Sequence, residues 1–250
     1  MSDSRPVVEI RDLHARLSGK DVLRGVSAAV PPGSITVVLG ASGSGKTTLL
    51  KHILGLLPAT RGTVHVFGED LSQVTEPELA SIRRRLGMLF QAGALLNSRT
   101  VGRNARIPLE QHTRLPDPII DRIVRTKLRL VGLPESADRL PGDLSGGMRK
   151  RAALARALAL DPELLLCDEP SSGLDPPTSE ALDRLLINLR ETLRMTMLVI
   201  SHDIASVRRI ADHVLFLYEG RIAFQGTMQE ADASSEPSLR EFLAASGLPE

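Results

Sequence analysis

From residue 7 to 30 apolar and polar positions alternate around Ser18-Gly19-Lys20-Asp21, the pattern of two antiparallel strands joined by a tight turn. Pro31-Pro32-Gly33 closes the pair, and the apolar run Ile35–Leu39 follows as a buried strand. A helical pattern then sets Leu49, Leu50, Ile53, Leu54 and Leu57 on one side, with Pro58 as its expected stop. Gly62–Phe67 reads as a short strand and Gly68-Glu69-Asp70 as a turn. Residues 76–85 read as a helix capped by Thr75, and its last residues, Arg83-Arg84-Arg85, as a solvated helix end. After one more strand, Leu86–Phe90, strand patterns vanish up to about residue 160, and helices are predicted at 101–111, 117–132 and 145–160. Alternation then resumes with a strand at Leu164–Asp168, a helix at 177–194, a strand at Met195–Ser201 and a helix at 203–211. Short strands at 213–218 and 221–225 precede a tail with a helix at 237–245. The expected architecture is one α/β domain. Its core spans about 7–90 and 161–225 and includes an antiparallel β subdomain; a helical subdomain is inserted at about 91–160, and the tail covers 227–250.

Chemistry concentrates where the strand Ile35–Leu39 breaks. Gly40, Ala41, Ser42, Gly43, Ser44, Gly45, Lys46, Thr47 and Thr48 form a complete phosphate-binding loop between a strand and a helix. The glycines let successive backbone N–H groups converge on a phosphate, and the following helix points its positive end at the same space. Lys46 is expected to reach the β- and γ-phosphates, and the Thr47 hydroxyl to sit on Mg²⁺. The predicted ligand is a nucleoside triphosphate. Leu164–Asp168 ends in two adjacent carboxylates, Asp168 and Glu169. Asp168 is assigned to Mg²⁺ and Glu169 to polarising the attacking water, although alternation along a strand should aim the two side chains apart unless the strand has already turned. Cys167 reads as a small buried hydrophobe. Ser145-Gly146-Gly147 opens a helix, and these residues by themselves leave both an ordinary N-cap and a second anion site open. His202 and Gln91, each at the end of an apolar run, are equally ambiguous alone.

Composition removes several classes. The 250 residues are 42% hydrophobic, enough for a sizeable core, and 31 basic against 30 acidic residues leave a net charge of +1. That balance, with no tryptophan and one tyrosine, argues against a nucleic-acid partner. A single cysteine excludes an internal disulfide framework. Met1–Glu9 carries no apolar core of a secretory signal, no run approaches the roughly 20 apolar residues of a membrane span, and the other histidines lack metal-ligand spacing. A soluble, cytoplasmic protein is expected.

Taken together, residues 7–225 resemble the ATP-binding-cassette ATPase family, with a phosphate-loop NTPase (RecA-like) core. Gly40–Thr47 matches the family's Walker A motif, Gln91 its Q-loop glutamine and Leu144-Ser145-Gly146-Gly147-Met148 its signature. Leu164–Glu169 matches Walker B with its catalytic glutamate, Ser172-Gly173-Leu174-Asp175 the D-loop, and His202 the switch histidine. The resemblance implies ATP and Mg²⁺ as cofactors, catalytic roles for Glu169, His202 and Gln91, and Mg²⁺ contacts from Thr47, Gln91 and Asp168. It also implies a head-to-tail sandwich of two copies in which Ser145, Gly146, Gly147 and Asp175 of one copy close over ATP held by the other. Met148 stands where the family commonly has glutamine. No aromatic residue precedes Phe67, so Ala15, Arg16 or Leu17 is expected to cover the adenine face.

The run Gln91-Ala-Gly-Ala-Leu-Leu, then Val101, Asn104, Pro108-Leu109 and His112-Thr113, is similar to the Mla-type (Mce-associated) phospholipid transporter branch. So are the arginine and lysine after Met148 and the tail 236–243. Arg103 occupies a position that is commonly acidic in relatives. This likeness implies an integral-membrane permease dimer docked near 92–112, a periplasmic Mce lipid-binding protein, a STAS-domain regulator and a place at the cytoplasmic face of the inner membrane. The tail is expected to touch the neighbouring ATPase copy. Competing readings are an amino acid or ion importer, a lipoprotein-release ATPase, and a soluble cassette protein of translation or DNA repair.

Overall fold

The computed structural model describes residues 5–245. β1 (Val8–Leu17) and β2 (Lys20–Val30) pair antiparallel across a turn at Ser18 and Gly19, both at positive φ. The buried strand β3 (Ile35–Leu39) leads through the glycine-rich loop into α1 (Lys46–Ile53). This helix stops short of Pro58. Gly55 takes a left-handed φ of 64°, its N–H donates to His52 O and that of Leu56 to Lys51 O, so a Schellman cap ends the helix before proline can act. β4 (Arg61–Val66) and β5 (Glu69–Asp70) form a hairpin whose turn is Phe67-Gly68; of the expected turn at 68–70 only Gly68 is turn, and Glu69 and Asp70 are strand. β1, β2, β4 and β5 make a four-stranded antiparallel sheet in the order β2-β1-β4-β5.

α2 (Glu76–Arg84) begins at Thr75, whose N–H and hydroxyl both donate to the Glu78 carboxylate. Of the three arginines at its end, Arg84 is exposed as expected, but Arg83 and Arg85 are not simply solvated. Arg83 donates to the Leu54 and Gly55 carbonyls that end α1, and Arg85 pairs with Glu163 while its guanidinium lies 3.8 Å over the Phe67 ring. β6 (Leu86–Leu89) follows. Then come α3 (Val101–His112), α4 (Asp117–Leu130) and α5 (Gly146–Ala157) with no strand between them. Arg106 of α3 is buried and binds Glu110 on its own helix and Asp117 and Asp121 on α4, stapling the two helices together.

β7 (Leu164–Asp168), α6 (Pro176–Leu193), β8 (Thr196–Ser201), α7 (Ile204–Ile210), β9 (His213–Tyr218) and β10 (Arg221–Gly226) complete the core. The second sheet runs β10-β9-β3-β8-β7-β6, parallel throughout except for the edge strand β10. Alternate residues of its strands enter two separate cores. Val38, Leu164, Leu166, Leu198 and Ile200 face α1 and the antiparallel sheet, whereas Val37, Leu165, Cys167, Met197 and Val199 face the helices. α1 is thus clamped between two sheets, and the loop before it is fixed at the carboxyl end of the central strand. The tail holds a helix absent from the sequence reading, α8 (Met228–Asp232), capped by Thr227 and Glu230, and then α9 (Pro237–Ala245). α9 packs on its own chain: Leu239 is fully buried, and the Phe242 ring centroid lies 5.3 Å from that of Phe216. The expected contact of the tail with a neighbouring copy falls, through Ala245, on a helix already docked in cis; residues 246–250 lie outside the described residues.

Candidate active site

The loop between β3 and α1 forms the floor of a cleft of about 610 Å³ lined by Ala41, Ser42, Gly43, Gly45, Lys46, Thr47 and Thr48. Gly40 and Ser44 complete the loop from beneath; Ser44 Oγ is buried with no hydrogen-bond partner among the described residues. Gly45 adopts φ 109°, and a Cβ there would stand 2.9 Å from Leu23, so only glycine lets the chain turn into the helix at that point. Lys46 curls over the loop and donates to the carbonyls of Gly40 at 2.7 Å and Ala41 at 2.9 Å. Burial pulls its pKa down, and the nearby Glu169 and Asp168 carboxylates hold it up.

Four more strand ends complete the walls, placing Gln91 after β6, Asp168 and Glu169 at the end of β7, Ile200 and His202 at that of β8, and Val22 on β2. Asp168 and Glu169 both face the cleft because the strand has turned: Glu169 sits at φ 49°, a left-handed conformation costly for a residue with a side chain. Its N–H still reaches Ile200 O at 2.9 Å, which seats the bend beside β8. Nδ1 of His202 lies 2.8 Å from the Glu169 carboxylate, and since a carboxylate only accepts, that nitrogen carries the proton. Burial raises the pKa of Asp168, and so does Glu169, against the opposing pull of Lys46 and Lys150. Cys167, one residue behind, is fully buried, and burial pushes its thiol up to about 12, so it is an inert core group.

His202 owes its position to α7. Asp203 caps that helix by accepting from Ser206 N–H, and the fully buried Asp183 of α6 accepts from the Ser206 hydroxyl at 2.7 Å and the Arg209 guanidinium at 2.8 Å. Burial raises the pKa of Asp183, and these two donors oppose the rise. Gln91 Nε2 donates at 3.3 Å to Ser172 Oγ in the segment that follows Glu169.

Four residues read as nucleotide-binding lie elsewhere. Ser145 caps α5, accepting from Met148 N–H at 3.3 Å, and Asp175 caps α6, accepting from Thr178 N–H and Oγ. Those bonds hold the Asp175 carboxyl below the usual range. Gly147 lets the two helix starts meet, since a Cβ there would fall 2.3 Å from Thr178 Cγ2. Ser145 and Gly147 line a different cavity, shared with Arg129 and Arg151, and a Cβ added at Gly146 would meet Leu174 at 3.4 Å. None of the four lines the cleft that holds Lys46 and Glu169.

Sequence reasoning missed four wall residues. Val22 lines the cleft in place of the expected Ala15, Arg16 or Leu17, because Ala15 pairs with Leu23 and points into the core. Ile200, Phe242 and Ala245 also line it. The apolar spacing Leu239, Phe242, Leu243 was the available signal that the tail would dock, though not where. Among the described residues no three His, Cys, Asp or Glu side chains gather as a metal cage. The oxygen donors Thr47, Asp168 and Gln91 around one cleft do suit Mg²⁺, which takes few protein ligands and keeps water and phosphate in its shell.

Residues 23–172 match the ABC transporter family. The chain is 40% identical to the intermembrane phospholipid transport system ATP-binding protein MlaF of Escherichia coli, over 95% of this chain and 88% of that protein. It is 38% identical to the probable ribonucleotide transport ATP-binding protein mkl of Mycobacterium leprae, over 94% of this chain and 68% of that one. A solved dimer of the ATP-binding cassette MJ0796, in a post-hydrolysis state with ADP and Pi, superposes with a TM-score of 0.79 at 29% identity, covering 88% of this chain and 98% of that one.

Proposed function

Because the chain belongs to the ABC transporter family, we propose that it is the ATP-hydrolysing subunit of a transporter that moves phospholipid between the membranes of a Gram-negative envelope. The observation that carries the chemistry is the convergence of Lys46, Thr47, Asp168, Glu169 and His202 on one cleft. The loop N–H groups and Lys46 cradle the triphosphate of ATP. Thr47, Asp168 and Gln91 would hold Mg²⁺, which would offset charge on the β- and γ-phosphates. Glu169 orients a water molecule for in-line attack on the γ-phosphorus and accepts its proton as the bond to the β-phosphate oxygen breaks. His202 keeps the Glu169 carboxylate aimed from 2.8 Å away.

Two copies associate head to tail, so that Ser145, Gly146, Gly147 and Asp175 of one face ATP on the other; the dimeric likeness supports this pairing. This reading includes a membrane partner; among the described residues no helix is long and apolar enough to cross a bilayer. An integral-membrane permease dimer docks its cytoplasmic helices in the groove between α2, β6 and α3, where Met88, Phe90, Ile107 and Pro108 lie beside Arg83 and Arg84. The protein thus sits at the cytoplasmic face of the inner membrane, with a periplasmic Mce lipid-binding protein and a STAS-domain regulator in the same assembly.

Identity to MlaF carries the cargo, and the similar identity to mkl supports ribonucleotide as a second reading. The test is to tag this chain, express it with its chromosomal neighbours, solubilise the membranes and identify what co-purifies. A permease, an Mce protein and bound phospholipid are expected. A permease with bound ribonucleotide and no lipid replaces the cargo, and recovery of this chain alone, or with ribosomes or DNA, overturns the transporter reading.

A further inference from the structure

Arg149-Lys150-Arg151 are three consecutive basic residues of α5, and helix geometry sends their side chains in different directions. Lys150 falls on the inner stripe of α5 with Gly147, Leu154 and Leu158, and only 7% of it is exposed. A buried ammonium needs partners. Lys150 Nζ donates to the backbone carbonyl of Gln91 and, at 3.2 Å, to that of Glu169. Burial pulls its pKa down, while the Glu169 and Asp168 carboxylates hold it up.

These two carbonyls belong to two of the loops that carry cleft side chains, and Lys150 bonds both. The Glu169 carbonyl also accepts from Ser172 N–H at 3.2 Å, its N–H is spent on Ile200, and its φ of 49° persists only while its surroundings over-determine it. Lys150 stands five residues along α5 from Ser145, about 7 Å at the helical rise, so a rigid turn separates the Ser145 cap from these bonds.

We infer that Lys150 is a positioning residue for ATP hydrolysis: its ammonium fixes the backbones of Gln91 and Glu169 to α5, so that the helix carrying Ser145 and the loops carrying the water-activating groups move as one body. The inference rests on the proposed ATPase function. Nothing in it requires Lys150 to touch nucleotide. Removing the ammonium leaves phosphate binding by the Lys46 loop in place and loosens the aim of Glu169, a misplacement felt in turnover rather than in affinity.

The test uses the full chain in its transporter complex and measures kcat and KM for ATP, nucleotide affinity by equilibrium binding, and Tm. The wild type is measured first; a rate no higher than uncatalysed hydrolysis would sink the ATPase reading itself and leave Lys150 no reaction to position. Given a functional wild type, Lys150→Met should lower kcat by about 10- to 100-fold with affinity changed by less than about threefold. Lys150→Arg, which keeps charge and donors, should restore most of the rate. If Lys150→Met fails to assemble, Lys150→Gln, with a neutral donor, takes its place under the same expectation. A kcat near wild type in the Met or Gln variant overturns the inference. So does a loss of kcat that merely follows equal losses of affinity and Tm with no rescue by arginine, because that pattern marks a residue needed only for folding.

Discussion

The carboxyl end of the parallel sheet and the joined starts of α5 and α6 are both polar, but they are built on opposite principles. At the sheet end an ammonium, two carboxylates and an imidazole converge on open space, one of them on a strained backbone. At the helix starts the polar groups close on their own chain: Ser145 on Met148 N–H and Asp175 on Thr178. No acid or base there is poised over a cavity. The first region can run a reaction, whereas the second can offer an anion N–H groups, a hydroxyl and the neighbouring Arg129 and Arg151 but no general base. The proposed head-to-tail pairing would bring these two separate faces together as complementary halves of one site.

The largest effect should come from blunting the reactive half. Glu169→Gln keeps a hydrogen-bond acceptor for His202 but removes the proton acceptor, so phosphate release should fall by about 10²- to 10⁴-fold while ATP still binds. Phosphate-release and nucleotide-binding assays on the same preparation separate the two quantities. Turnover at the wild-type rate would move the base to another group and erase the chemical contrast between the regions.

Much of that contrast was legible in the chain. Gly40–Thr47 is local chemistry between a strand and a helix, and local patterns survive folding. The same holds for the cap Thr75 and for Ser145, whose role as an N-cap was one of two open readings. Most of what escaped reading was decided by tertiary contact; the end of α1 is the local exception. The Schellman cap at Gly55 pre-empted Pro58, and Arg83 found the carbonyls that cap exposes. Alternation along β7 gave Asp168 and Glu169 opposite directions; the left-handed turn at Glu169, held by Ile200 O, set both on the cleft. Lys150 stands between two arginines, and its spacing from Gly147 and Leu154 is the one local sign of its burial. Placing Phe242 and Ala245 on the cleft wall needs knowledge of how α9 returns across β9, which no local pattern encodes.

A pair of mixed assemblies sharpens the comparison further. Lys46→Ala disables the cleft. Gly146→Asp disables the helix starts without straining them, since a Cβ at Gly146 meets Leu174 at an ordinary 3.4 Å and an acid in the first helical turn suits the dipole. Facing a triphosphate, that acid repels. In a dimer of one Lys46→Ala copy and one Gly146→Asp copy, one composite site remains intact and about half the wild-type ATPase rate should survive. Pairing the double variant with wild type breaks both composite sites, and the rate should vanish. If each chain's site were complete in itself the two outcomes would exchange, so doubly tagged heterodimers decide between these arrangements.

The smallest perturbation reads whether the second region is covered at all. Ser145→Cys places a thiol at the N-cap of a twelve-residue helix, where the dipole lowers thiol pKa and favours alkylation, at a cost of about 1 kcal/mol for the weakened cap. The background is silent: Cys167, the one native cysteine, is fully buried with its thiol pushed up to about 12. Maleimide labelling of the introduced thiol should be fast without nucleotide. Combined with Glu169→Gln and ATP, it should slow several-fold, because a second copy's triphosphate then lies over the helix start. Labelling that ignores ATP would mean that the helix starts face solvent throughout the cycle, and the cleft would then have to supply every group that contacts the nucleotide from its own chain.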